Sequence, residues 1–252
     1  MEKEKAIAII TARGGSKRIP KKNIKEFCGK PIIAYSIGAA IKSDLFSEVM
    51  VSTDSEEIAG IAMQYGANVP FFRSEKASDD YATTSDVLLE VLGEYQKRGR
   101  EFEAMAYLYP TAPFVTAEKL RQAMEVFQKE ICYEVLPVVK FSFPPQRAYQ
   151  IVDGRYLRYK WEEHSQSRSQ DLEAFYHDVG QFGIFDVGYF QQQKGKVREK
   201  VFPFIVSELE VQDIDNESDW EIAEIKYQLI RKFRERMDKS GDISECHIGN
   251  RG

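Results

Sequence analysis

The stretch AIAIITARGGSKRIPKKN, residues 6–23, decides how the rest of the chain reads. Its first five residues form an apolar run suited to a buried strand. A polar loop follows at once, with Gly14, Gly15 and five cations: Arg13, Lys17, Arg18, Lys21 and Lys22. A glycine-rich basic loop at the carboxyl end of a buried strand is the layout of an open α/β sheet, where ligands bind beyond the strand ends. The two glycines allow a tight turn and leave backbone N–H groups unhindered, which suits a polyphosphate. The glycine spacing matches neither G-x-x-x-x-G-K-[ST] nor G-x-G-x-x-G, so P-loop and dinucleotide-binding enzymes lose ground.

Working outward, residues 31–42 have helical periodicity, 48–53 read as a strand, and 55–66 read as a helix closed by Gly66. The alternation continues with a helix over 84–97, a strand over 104–109, a helix over 117–129 and a strand over 134–139. This succession predicts an α/β fold, a doubly wound and mainly parallel sheet of Rossmann-like type. Residues 141–181 change style to Pro, Gln, aromatic and charged residues, with a hairpin turn expected at Asp153-Gly154. They read either as a β-rich arm that packs on a second subunit or as an ordinary surface excursion. The sheet resumes over 183–186 and 201–206. A last amphipathic helix opens with Ser218 and Glu221 at capping-box spacing and runs to Met237. The expected organisation is one domain, 1–237, and a polar tail, 238–252.

Composition narrows the function classes. The chain has 252 residues, a net charge of −5 and 43% hydrophobic residues, the make-up of a water-soluble globular domain rather than a nucleic-acid coat. No apolar run reaches the roughly 20 residues of a membrane helix, and the N-terminus lacks a secretory h-region, so a cytoplasmic location is expected. Cys28, Cys132 and Cys246 are too few and too scattered for a disulfide framework or a zinc site. The basic loop is therefore a local patch aimed at something small. A solvated or nucleic-acid-binding loop is the plainer alternative, and it predicts salt-sensitive binding to any oligonucleotide.

A second constellation lies near the end. In VQDIDNESDW, Asp213 and Asp215 are two residues apart, so an extended backbone turns both carboxylates to one face and Ile214 to the other. Two such carboxylates together with substrate phosphates can hold Mg²⁺. They could instead merely precede the last helix and complement its dipole.

The run ARGGSKRIPKKN resembles the signature of the CMP-sugar synthetases, the cytidylyltransferases that activate sialic acids and related keto sugars. The resemblance continues through VSTDSEEIA, Arg73 in FFRSEKASDD, LYPTAPF at 108–114 and the aspartate pair, and so covers the chain to about Phe233. It implies a fold of nucleotide-diphospho-sugar transferase type. It also implies that Arg13, Gly14, Ser16, Lys17, Asn23 and Arg73 hold the nucleotide, that Arg13, Lys17 and Lys22 act in catalysis, and that Asp213 and Asp215 hold Mg²⁺. The implied reaction is attack of a sugar's anomeric hydroxyl on the α-phosphorus of CTP with loss of pyrophosphate. Its acceptor is a nine-carbon acidic sugar, with neither nucleic acid nor membrane as a partner.

For the sugar, Tyr109 stands where sialic acid enzymes usually carry glutamine, which exchanges an amide for an aromatic face with a hydroxyl. The run RSQDLEAFYHDVGQF, 168–182, is similar to the branch of the family that uses pseudaminic acid, although Val179 replaces a usually smaller residue. Tyr109, Arg168, Gln170, His177 and Gln181 are thereby candidates for the sugar site, Arg168 as a bidentate partner for the carboxylate. N-acetylneuraminic acid, legionaminic acid and Kdo remain alternative acceptors, and a noncatalytic nucleotide-binding protein a more distant one. Family members are usually homodimers whose arm completes the partner's site, which makes Arg147 a candidate contribution in trans.

Overall fold

The computed structural model describes residues 4–16, 18–79 and 81–240. Lys17, expected at the phosphates, and the stretch 241–252 of the polar tail lie outside the described residues. Along the chain the elements are β1 (Glu4–Thr11), β2 (Glu26–Phe27), β3 (Lys30–Pro31), α1 (Ile33–Ser43), β4 (Glu48–Ser52), α2 (Glu56–Gln64), α3 (Glu75–Ser78) and α4 (Thr84–Lys97). They continue with β5 (Phe102–Leu108), α5 (Ala117–Lys129), β6 (Glu134–Lys140), β7 (Tyr149–Val152), β8 (Tyr156–Tyr159) and β9 (Tyr176–Asp178). The last are β10 (Phe182–Asp186), α6 (Val187–Gln192), β11 (Val201–Ile205) and α7 (Glu217–Ser240).

β1 is apolar without alternation because helices cover both of its faces. Ala6, Ala8 and Ile10 pack with Ile33 and Ile37 of α1 and Leu120 and Ala123 of α5. Ile7 and Ile9 pack on the other side with Leu88, Val91 and Leu92 of α4 and Phe190 of α6. The main sheet has the order β11-β6-β10-β5-β1-β4. β1 is parallel to β4 and β5, and β6 is parallel to β11. β10 runs against β5 and β6, and β9 runs against the end of β6. The mainly parallel, doubly wound sheet expected from the sequence is what forms.

Two glycines matter to this path. A Cβ on Gly183 would lie 2.6 Å from the Tyr107 ring, so β10 can pass beneath that ring only as glycine. Gly180 (φ +61) bends the chain between β9 and β10, its N–H held 2.8 Å from Asp178 Oδ1. β9 then pairs with the last residues of β6, and β10 with the first.

The 141–181 stretch contains the β7–β8 hairpin, with φ of 53° at Asp153 and 63° at Gly154, the type I′ pattern that Asp-Gly favours. The hairpin is a sheet of its own, and its apolar side chains are open: Ile151 is 70% exposed and Leu157 68%.

The cap of α7 differs from the expected Ser218/Glu221 box. Asn216 Oδ1 accepts the Asp219 N–H at 3.0 Å, and the Asp219 carboxylate accepts the N–H groups of Asp215 (2.9 Å) and Asn216 (3.0 Å). Asn216 and Asp219 thus form the reciprocal cap two residues earlier, because Asn satisfies the orphan amide there and Trp220 must already be helical to reach the core. α7 also runs three residues past Met237. No helix among the described residues is long and apolar enough to cross a membrane, and Cys28 and Cys132 are free thiols.

At the amino ends of the strands, Arg100 holds Glu4 bidentately at 2.6 and 2.8 Å and Glu48 at 2.5 Å. Glu134, by contrast, is buried at the start of β6 with no ion pair or side-chain hydrogen bond among the described residues. Burial, with Asp178 adding, raises its carboxyl to about 7 from 4.5. The folded state then binds a proton that the unfolded chain releases, so stability is full below pH 4.5 and falls as pH rises through 7. Glu134→Gln is expected to raise the unfolding free energy at pH 8 by roughly 1–3 kcal/mol, seen as a higher melting temperature, and to have little effect at pH 4.5. Melts at the two pH values check it, and equal shifts at both would contradict this account.

Candidate active site

The loop after β1 is pinned at several points. Ala12 N–H reaches Ser52 O (2.9 Å), Gly14 N–H reaches Asp54 Oδ1 (2.7 Å), and Asn23 Nδ2 donates to Arg13 O (2.8 Å). Gly14 packs closely, since a Cβ there would lie 3.2 Å from Ser55 Cβ, and its N–H is already taken by Asp54. Gly15 faces open space and lines the pocket. Ile19, fully buried, anchors the middle of the loop in a small apolar cluster with Phe27, Ile32, Tyr35, Phe114, Ile214, Trp220 and Ala223.

That cluster assembles the site. With Ile214 buried in the same cluster as Ile19, Asp215 meets the loop: Arg18 lies 2.6 Å from Asp215 Oδ2 and Lys22 4.0 Å from Oδ1. Burial pushes the Lys22 ammonium down, and the charges of Asp215 and then Asp213 oppose that shift. Lys21 adopts a left-handed conformation (φ 52°) and pairs with Glu57 at 2.7 Å, away from this group.

The cavity that results measures about 490 Å³. Arg13, Gly15, Ser16, Arg18, Lys22 and Asn23 of the loop form one side. Arg73, Ala77, Asp79 and Ala82 form another, and Thr84 and Val87 at the start of α4 a third. Tyr109, Pro110 and Thr111 after β5, with Asp215, complete it. Arg73 is buried, with Nε 3.1 Å from Ser52 Oγ and NH2 2.7 Å from Ser52 O, so its guanidinium is fixed before any ligand arrives. Tyr109 is held by its backbone, its N–H to Gln181 O (2.9 Å) and its carbonyl to Ser36 Oγ (2.7 Å). Burial, with Asp178 adding, pushes its phenol up.

Of the residues singled out in the sequence, Arg13, Ser16, Lys22, Asn23, Arg73, Tyr109 and Asp215 come together around this cavity. Gly14 stands behind the loop, outside the lining. Asp213 is exposed, yet its charge acts on both Lys22 and Tyr109, so the two carboxylates bear on the same pocket. All-oxygen donors beside a polyphosphate-sized basic cavity fit a hard divalent cation, which needs only one or two carboxylates besides substrate oxygens. Arg168, Gln170 and His177 stand on the 141–181 stretch, outside the lining within one copy of the chain. Gln181 is buried, with Nε2 2.5 Å from Glu210 O. Arg18, Thr84 and Thr111 were not assigned from sequence. The Thr83–Asp86 capping box that starts α4 was legible and marks where Thr84 would be presented.

A family model for cytidylyltransferases matches residues 7–211. A pseudaminic acid cytidylyltransferase from Campylobacter jejuni is 39% identical over 231 residues, 89% of this chain and 97% of that protein. A CMP-N,N'-diacetyllegionaminic acid synthase from Legionella pneumophila is 34% identical over 230 residues, 88% of this chain and 96% of that protein. Among solved structures, a CMP:2-keto-3-deoxy-manno-octonic acid synthetase complexed with CTP superposes with a TM-score of 0.66 at 16% identity, over 91% of this chain and all of that one, a likeness of fold. With the model matched over most of its length and relatives above 30% identity along nearly all of it, the chain belongs to the cytidylyltransferase family.

Proposed function

We propose that this chain transfers CMP from CTP to the anomeric hydroxyl of pseudaminic acid and releases pyrophosphate. The observation that carries the reading is the cavity at the carboxyl end of β1, ringed by Arg13, Arg18, Lys22 and Arg73, in a chain 39% identical to a protein named for that reaction. Arg13 and Lys17 neutralise the triphosphate and the departing pyrophosphate, while Lys22 stabilises charge at the reacting phosphorus. Ser16, Asn23 and Arg73 hold the nucleotide. The work is positioning and charge neutralisation in a site whose donors are fixed in advance.

Divalent-metal dependence is general among cytidylyltransferases of this kind, and Asp213 and Asp215 are the residues that would hold Mg²⁺ here. The ion would supply Lewis-acid polarisation of phosphate oxygens. Arg18, 2.6 Å from Asp215, keeps that carboxylate oriented toward the pocket.

Tyr109 forms the sugar side of the pocket. Arg168, Gln170 and His177 contribute to sugar recognition from a homodimer, the exposed 141–181 arm of one copy reaching the other, while Gln181, buried within its own copy, contributes by holding the Tyr109 backbone at the sugar side. The open apolar surface of the β7–β8 hairpin supports this, since Ile151 and Leu157 gain by being covered. The enzyme works in the cytoplasm as a single domain, 1–237, with its arm.

Three outcomes follow. Purified protein given CTP, Mg²⁺ and, separately, pseudaminic, legionaminic and N-acetylneuraminic acids and Kdo should release pyrophosphate with pseudaminic acid, and Asp215→Ala should lower that rate at least about a hundredfold. Preference for legionaminic acid would favour the second relative's chemistry instead. Asp54→Ala, which removes the acceptor of the Gly14 N–H, should weaken CTP binding about tenfold by calorimetry, and Asp54→Asn far less. The double change Ile151→Asp and Leu157→Asp should halve the mass measured by light scattering; an unchanged mass would exclude the arm as the interface.

A further inference from the structure

A second cavity, of about 200 Å³, lies on the far side of the 110–117 loop. Pro110 and Thr111 line the first cavity, and Pro113 to Ala117 line the second. Its other walls come from α1, through Tyr35 and Gly38, and from α7, through Tyr227, Ile230 and Arg234. A water molecule occupies roughly 30 Å³ of liquid, so the space suits a ligand of several heavy atoms.

Three cations border it: Lys30, Lys42 and Arg234. Lys30 Nζ lies 3.9 Å over the Tyr35 ring. Neither Lys30 nor Lys42 has an ion-pair partner among the described residues. Glu210, the one carboxylate among the described lining residues, is already shared: Lys119 is 3.1 Å from one oxygen and Arg234 3.3 Å from the other. Burial, with the charge of Lys42 adding, pushes the Lys30 ammonium down. In a chain of net charge −5, like charges gathered around a hollow with apolar walls repel one another, and an anion relieves that repulsion more strongly there than in open water.

We propose that this cavity is a second ligand site, which takes a small, multiply charged oxyanion between Lys30, Lys42 and Arg234. It is separate from the CTP pocket and does not depend on the identity of the sugar.

The test is lysine acylation of the full chain read by mass spectrometry, with inorganic pyrophosphate as the probe and sodium chloride at matched ionic strength as the control. Labelling of Lys30 and Lys42 should slow by about threefold or more, the factor for a site two-thirds filled. Lys22, in the first cavity, reports independently on that pocket. Protection of Lys30 and Lys42 should disappear in Arg234→Glu. It should also disappear in Gly38→Leu, whose new side chain leaves α1 into space where a Cβ meets nothing within 4 Å. The second variant closes the hollow without touching a charge, so it decides the matter if the first does not fold. Protection confined to Lys22, or protection of Lys30 and Lys42 that survives in a folded variant, would overturn the proposal.

Discussion

The burial of Ile19 and Ile214 in one apolar cluster is the constraint on which the site rests. A basic loop of this composition has no intrinsic reason to hold a shape, because its cations repel and its glycines add chain entropy. Sequestering Ile19, worth about 1.5–3 kcal/mol as a buried aliphatic side chain, fixes the loop at its midpoint. Ile214 enters the same cluster from almost two hundred residues away, and its two neighbours therefore arrive as carboxylates beside the loop. Phe27 carries the arrangement outward through edge-on contacts to Tyr35, Trp220 and Tyr227 at 5.5–5.6 Å, so α7 is locked to the start of α1 by the same packing.

Electrostatics then complete what packing begins. Asp215 pairs with Arg18 and approaches Lys22, Asp54 takes the Gly14 N–H, and Ser52 holds the Arg73 guanidinium. Each contact fixes a charged group in advance of any ligand, and a preorganised site spends less free energy on ordering when its ligand binds. The opposite end of the sheet shows a different solution, with Arg100 gathering Glu4 and Glu48 in a clamp. Among the described residues Glu134 has no such partner, and raised protonation is how a buried carboxylate without one is tolerated.

The sequence by itself determined the sheet, its helices and the chemical character of the pocket. Strand and helix signals are local: apolar runs such as 6–10, Gly66 and the Asp153-Gly154 turn act within a few residues of chain, so their consequences can be read in order. The ARGGSKRIPKKN run and the Asp213/Asp215 spacing were legible for the same reason. Only the tertiary structure decided which of these groups meet. It turned Lys21 toward Glu57, gave the Gly14 N–H to Asp54 and brought Arg18 to Asp215. It moved the α7 cap to Asn216 and Asp219, where Trp220 is drawn into the core, and it left Arg168, Gln170 and His177 outside the cavity of a single copy. The physical reason is range: a strand or a turn is fixed by neighbours in sequence, whereas the direction of a charged side chain is fixed by whatever distant residue the packing of the cluster that holds Ile19 and Ile214 delivers beside it.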